Sequence, residues 1–202
     1  MSPSISPALR ALADRDRHIA AALAEIGPPP SRERPPGFAS LLRAIVGQQI
    51  SAAAAAALWT RLGAALDPLS PEIVARLEID ALRKLGLSRQ KALYAQGLAR
   101  DVLERRIDLD LVPSMDDEAA IAHLIQIKGI GRWSAEVYLL FALGRPDIFP
   151  AGDLALAIAM QRLKRLRKRP DPKRLAELVE PWRPYRGAGA QFLWHYYKAA
   201  PV

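Results

Sequence analysis

Between Ile127 and Gly144 the chain reads IKGIGRWSAEVYLLFALG. Gly129 and Gly131 flank Ile130 where one helical pattern gives way to the next, and Lys128 and Arg132 flank the pair. Glycine tolerates positive φ and leaves the backbone uncovered, so such a turn can present successive N–H groups where a helix begins. Those donors, the positive end of the helix and two cationic neighbours favour an anion such as a phosphate. Ile130 is expected to anchor the turn in the core. A G-x-G pair is also what a plain tight interhelical turn needs, so the spacing leaves both readings open. Downstream lies FPAGDLAL, with Asp153 just before the helical pattern that starts at Leu154. Asp153 can cap that helix through its side chain. A carboxylate fixed in this way can also stabilise developing positive charge or orient a water. Asp147 precedes the motif and is expected to be a loop or surface residue.

Other chemistries are excluded by composition. The 202 residues contain no cysteine, which removes disulfides, thiolate zinc sites, iron–sulfur clusters and a cysteine nucleophile together. His18, His123 and His195 are far apart in sequence and show no metal-ligand spacing. No apolar run reaches membrane-spanning length, and the first residues lack the apolar stretch of a secretory signal, so a cytoplasmic protein is the expectation. The net charge of +8 is uneven: residues 1–150 hold 18 Lys/Arg against 17 Asp/Glu, and residues 151–202 hold 11 against 4. Such a local excess suggests a face that meets a polyanion, although a solvated basic surface has the same composition. The run RLKRLRKRPDPKR (162–174) holds eight Lys/Arg in thirteen residues. Read as a helix, it turns half its side chains away from any partner.

The elements that must position these groups are helical. Period-3.6 patterning dominates and almost no alternating strand pattern appears. One helix is expected from Pro7 to about Ile26, ended by GPPPSRERPPG (27–37), because proline cannot continue a helix. A second runs from Phe38 to about Gln49. Ser51, Ser70 and Ser88 read as N-caps, Ser70 with Pro71 at the first helical position and Ser88 opening a helix to about Arg106. Six alanines, Ala52 to Ala57, are expected to let a neighbouring helix approach closely. Asp116 or Asp117 starts a helix reaching Ile127, and another follows Gly131 to about Leu143. GRPDIFPAGD is a loop, and two or three helices complete the chain. Roughly ten short helices with short connections imply an all-α globular fold. The proline-rich breaks divide it into a central subdomain, 37–147, with the hairpin at 124–136, and a second subdomain from 1–36 plus 148–202.

The ordered set LIQIKGIGRWSAE, RAIVGQQIS (43–51), GLSRQKA (86–92), IFPAGDLAL (148–156) and WRPYRGAGAQFLWHYY (182–197) resembles the helix-hairpin-helix DNA glycosylase superfamily. It is most similar to the 3-methyladenine DNA glycosylase II type, without the extra N-terminal domain of that type. The resemblance covers about residues 37–200. It implies two helical subdomains with an active-site cleft between them, and hydrolytic removal of alkylated purines (the 3-methyladenine and 7-methylguanine class) from double-stranded DNA by base flipping. Double-stranded DNA with damaged bases is the implied partner, and a monomer that is cytoplasmic, or nucleoid-associated in a bacterium, is expected.

Residue by residue, the resemblance makes Asp153 the catalytic carboxylate, since breaking an N-glycosidic bond builds positive charge on the sugar. Bifunctional relatives carry a lysine two residues after the second hairpin glycine. That amine attacks the sugar. Here Trp133 stands in its place, so water is the implied nucleophile. Trp133 and Trp194 match aromatic pocket positions, where an electron-poor base stacks on indole. Tyr138 and Tyr185 are further lining candidates, and Val137 stands where the best-known relative carries a tyrosine. The wedge that fills the gap left by the flipped base maps to Gln49, a leucine in that relative, with Gln48 in support. The hairpin of Lys128, Gly129, Ile130, Gly131 and Arg132 implies a phosphate grip. A monovalent or divalent cation is implied on the carbonyls of Ile125, Ile127 and Gly129. No cofactor is required for catalysis and no iron–sulfur cluster is implied. The alternatives are a glycosylase with lyase activity and a noncatalytic helix-hairpin-helix DNA-binding module.

Overall fold

The computed structural model describes residues 5–199, and no strand occurs among them. In chain order the helices are α1 (Pro7–Arg15), α2 (Arg17–Ile26), α3 (Phe38–Gly47), α4 (Ala52–Ala65), α5 (Pro71–Arg76), α6 (Ile79–Lys84) and α7 (Arg89–Leu103). They continue as α8 (Asp117–Leu124), α9 (Arg132–Phe141), α10 (Leu154–Leu163), α11 (Pro172–Val179) and α12 (Arg186–Ala199). No described helix is long and apolar enough to cross a membrane.

Local chemistry sets most starts. Ser51, Ser70, Ser88, Asp116, Asp153 and Asp171 each accept, through their side-chain oxygen, the N–H three residues on. Each thereby satisfies one of the donors that a helix leaves without an internal partner. Two expectations fail. The stretch from Pro7 to Ile26 is two helices, because Asp16 turns extended (φ −129°, ψ 102°): its N–H closes α1 on the Leu12 carbonyl and its Oδ1 accepts from His18 N–H to open α2. The alanine run does not serve close packing, since Ala53, Ala54, Ala56 and Ala57 are exposed. The small residues that do so are on α7, where Ala92, Ala95 and Ala99 are fully buried and the helix packs on α3, α5 and α6.

The chain divides into two compact units, residues 34–143 and residues 1–33 with 144–202. In the first, α7 is the central packing element, and α3 and α8 both pack against α9. In the second, α10 lies against α12, and both pack with α2. A Cβ placed on Gly189 of α12 would fall 2.4 Å from the ring of Trp182, so that helix is seated directly on the indole. The Trp182 Nε1–H donates to Asp16 Oδ2 at 3.0 Å, and Lys164 pairs with the same carboxylate. Burial pushes the Asp16 carboxyl up, but the bonds from Lys164 and Trp182, the Lys164 charge and the His18 amide outweigh it and hold it below the usual carboxylate range.

Candidate active site

In the 34–143 unit the end of α3, the start of α7 and the hairpin enclose a groove of about 650 Å³. Gln48, Gln49, Ile50, Lys91, Tyr94 and the Gly129–Gly131 turn are among its walls. The two glycines differ. Gly129 has φ +96°, and a Cβ there would meet the Tyr94 ring at 2.4 Å, so backbone conformation and packing both require glycine. Gly131 is the N-cap of α9 with ordinary extended geometry (φ −96°, ψ 173°), and a Cβ there would meet nothing within 4 Å. No side chain of Gly131 caps the helix, so its first N–H groups face outward in the manner that suits a phosphate. Ile130 is 4 % exposed and pins the turn to the core.

The flanks of the turn are less alike than their charges. Lys128 is exposed. Arg132 is tied within the unit: its Nη2 and Nη1 lie 2.5 and 2.9 Å from the Glu118 oxygens and its Nε 3.0 Å from Glu136 Oε1. Burial pushes the Glu136 carboxyl up, and Arg132 offsets this only in part. Gln48 caps α3 and its side-chain amide donates to the Gly129 carbonyl at 2.7 Å, stitching the end of α3 to the hairpin. Lys91 does the same from α7, donating to the Val46 carbonyl at 2.7 Å, and burial pulls its pKa down. Gln49 is exposed and holds φ +55°, a conformation that costs a non-glycine residue about 1 kcal/mol. Ile50 beside it is 39 % exposed.

Of the expected hairpin carbonyls, that of Ile127 accepts from Ile130 N–H at 2.9 Å and that of Gly129 from Gln48. A carbonyl oxygen has two lone pairs, so both retain one for a cation, and Ile125 lies at the exposed edge of the same turn.

In the other unit, Asp153 opens α10, its Oδ1 held by Leu156 N–H at 2.9 Å. It lines a cavity of about 320 Å³ with Leu154, Arg169 and Asp171. Leu154, next to the carboxylate, is 58 % exposed. Asp147, expected in a loop or at the surface, lies in the loop between α9 and α10 and is also a hub: Arg183 Nη1 reaches Oδ2 at 2.6 Å, and Arg186 Nε and Nη2 reach the two oxygens at 2.9 Å each. Those arginines are 36 and 39 residues away in sequence, so nothing local announces the cluster.

The aromatic candidates separate by exposure. Trp133 on α9 is 43 % exposed, whereas Trp194 on α12 is 9 % exposed and Val137 is 8 % exposed. Tyr138 is a core residue whose hydroxyl accepts the Gly37 N–H at 2.9 Å, and burial pushes its pKa up. Tyr185 lies under the Arg15 guanidinium, 5.4 Å from its ring centre. Sequence reasoning passes over Tyr94, Lys91, Ile50 and Leu154. An apolar residue at a loop or a first helical position is the only signal that could have raised the last two.

Residues 42–184 match the family described as HhH-GPD superfamily base excision DNA repair protein. The Bacillus subtilis protein YfjP is 36% identical over 124 residues, 61% of this chain and 43% of that one. The Schizosaccharomyces pombe DNA-3-methyladenine glycosylase 1 is 31% identical over 174 residues, 84% of this chain and 76% of that one. A solved structure of the S. pombe 3-methyladenine DNA glycosylase in complex with abasic DNA superposes with a TM-score of 0.85 at 29% identity, over 94% of this chain and 95% of that one.

Proposed function

The chain belongs to the HhH-GPD superfamily of base excision DNA repair proteins, and on that premise we propose that it is a monofunctional DNA glycosylase that hydrolyses the N-glycosidic bond of alkylated purines in double-stranded DNA. The observation that carries this reading is the setting of Asp153. One of its oxygens is fixed by a helix N-terminus while the side chain lines a cavity. As the C1′–N bond breaks, its electron pair leaves with the base and the sugar becomes cationic. A carboxylate already oriented stabilises that charge without reorganising. Water then adds to C1′, and its proton passes to the carboxylate or to solvent. An alkylated, cationic base leaves as a neutral molecule, so one carboxylate suffices and no matched acid is needed.

The hairpin supplies the hold. The outward N–H groups at Gly131 take a phosphate, the carbonyls of Ile125, Ile127 and Gly129 would hold a cation that adds positive charge at the turn, and Gln49, exposed on the groove, fills the gap when a base is extruded. The exposed indole of Trp133 offers a stacking face where a bifunctional enzyme would carry its amine.

Asp153→Asn tests the assignment. Asparagine still caps a helix, so the fold is kept. Base release from a panel of lesion-bearing duplexes should fall by about 100-fold or more with DNA binding retained. Unchanged release with binding intact would sink the mechanism. Borohydride should trap no covalent DNA adduct, and an adduct would establish the lyase alternative.

A further inference from the structure

The basic run 162–174 is not one helix. It spans the last turn of α10, an irregular connection and the start of α11. Its cations divide accordingly. Arg162 lies over the Tyr197 ring at 5.8 Å, Lys164 pairs with Asp16, and Arg174 with Glu177 at 2.9 Å. Arg165, Arg167, Lys168, Arg169 and Lys173 are exposed and make no ion pair among the described residues. Of these five, Arg169 alone lines the cavity that holds Asp153.

We infer that Arg169 binds a backbone phosphate of the nucleotide on which Asp153 acts, an assignment that rests on the glycosylase reading above. The reasons are electrostatic and geometric. Arg169 lines the cavity together with Asp153, and a guanidinium in that place attracts a phosphodiester and can bond two of its oxygens. The sugar that becomes cationic carries its own phosphates, which must lie close to Asp153. A lone guanidinium there would oppose the developing sugar charge. One that is neutralised by a phosphate does not, and it positions the sugar as well. The backbone suits the task. Arg169 precedes Pro170, which biases it to an extended conformation, and Pro170 is buried, with Pro172 following at the first position of α11. The stretch Arg169-Pro170-Asp171-Pro172 is therefore stiff, and little backbone entropy is lost when the arginine engages.

The test is a cycle between protein and substrate. Base release under single-turnover conditions, and equilibrium binding, are measured on duplexes that carry either a native backbone or one methylphosphonate on the 5′ or the 3′ side of the lesion. Arg169→Ala should slow release from the native duplex by about tenfold, and Arg169→Lys should recover part of it. One of the two methylphosphonates should bring the wild type down to the Arg169→Ala level and cost Arg169→Ala nothing more. Lys168→Ala, in the same run but outside the cavity, should lose the same factor on every duplex. Fully additive losses at both positions, or an Arg169→Ala profile matching that of Lys168→Ala, would overturn the assignment while leaving the glycosylase reading intact. A wild type that binds lesion duplex but releases no base would instead overturn that reading, and the assignment with it.

Discussion

The hairpin groove and the Asp153 cavity solve opposite problems. Among the described residues, the groove has no carboxylate in its walls. It offers backbone, amide side chains and a lysine already bonded to the Val46 carbonyl. The cavity is lined by two carboxylates and by Arg169, which makes no ion pair among the described residues. The units that carry them differ in the same sense. Residues 34–143 hold 13 Lys/Arg against 12 Asp/Glu, and the remainder holds 16 against 9. A nearly neutral unit can hold DNA through oriented dipoles, whose strength depends on geometry. The basic unit attracts it at longer range, where strength depends on salt. On the proposed function, holding and reacting thus rest on different physics, and each can be damaged without the other.

The sharpest break is in stability. Asp16→Ala leaves the Lys164 ammonium and the Trp182 N–H without their shared acceptor and should cost the basic unit about 3 kcal/mol, read from denaturant unfolding. An unchanged midpoint would mean that the bridge contributes nothing. Next, Gly129→Ala should cost about 2 kcal/mol, because both φ and the Tyr94 ring oppose a side chain. Gly131→Ala should cost only about 0.5 kcal/mol, for a poorer N-cap, and weaken lesion-duplex binding by about tenfold. If the two glycine variants behave alike, the distinction between fold and grip is wrong. Gln49→Gly should gain stability, at most about 1 kcal/mol, while slowing base release, as expected where a strained residue serves function.

Acid separates the units by sign. Asp16 has its folded pKa lowered, so its stabilisation is present above the ordinary carboxyl value near about 4 and is lost as pH falls through that value toward the lower folded one. Glu136 has its folded pKa raised, so the folded state gains on protonation as pH falls through that value. Amide exchange should therefore show His18, whose N–H donates to Asp16, losing protection on acidification before the amides around Glu136 do. The reverse order would contradict this assignment.

What the sequence displays is local. Serine and aspartate before apolar runs announce the starts of α4, α5, α7, α8, α10 and α11, because a cap is a contact across three residues. Asp153 at a helix start is legible for the same reason. The features that escape are closed by distant partners. The other carboxylate oxygen of Asp16, at the break between α1 and α2, is held by Lys164, 148 residues away. Asp147 is legible as a loop residue, but not the pairing with Arg183 and Arg186 that makes it a hub. Arg132 looks free for an anion until Glu118 arrives from α8. The prolines of RPDPK announce the break within the basic run, but not that it places Arg169 beside Asp153.

The Tyr94 ring beneath Gly129 also constrains how the protein can evolve. Replacing Tyr94 removes the steric objection to a side chain at 129 but leaves the positive φ, so no single change frees that position. Position 131 carries neither restriction, and on the proposed function it is held by the phosphate that binds there. In a lineage that kept this fold and abandoned DNA, residue 131 should drift early and residue 129 should not.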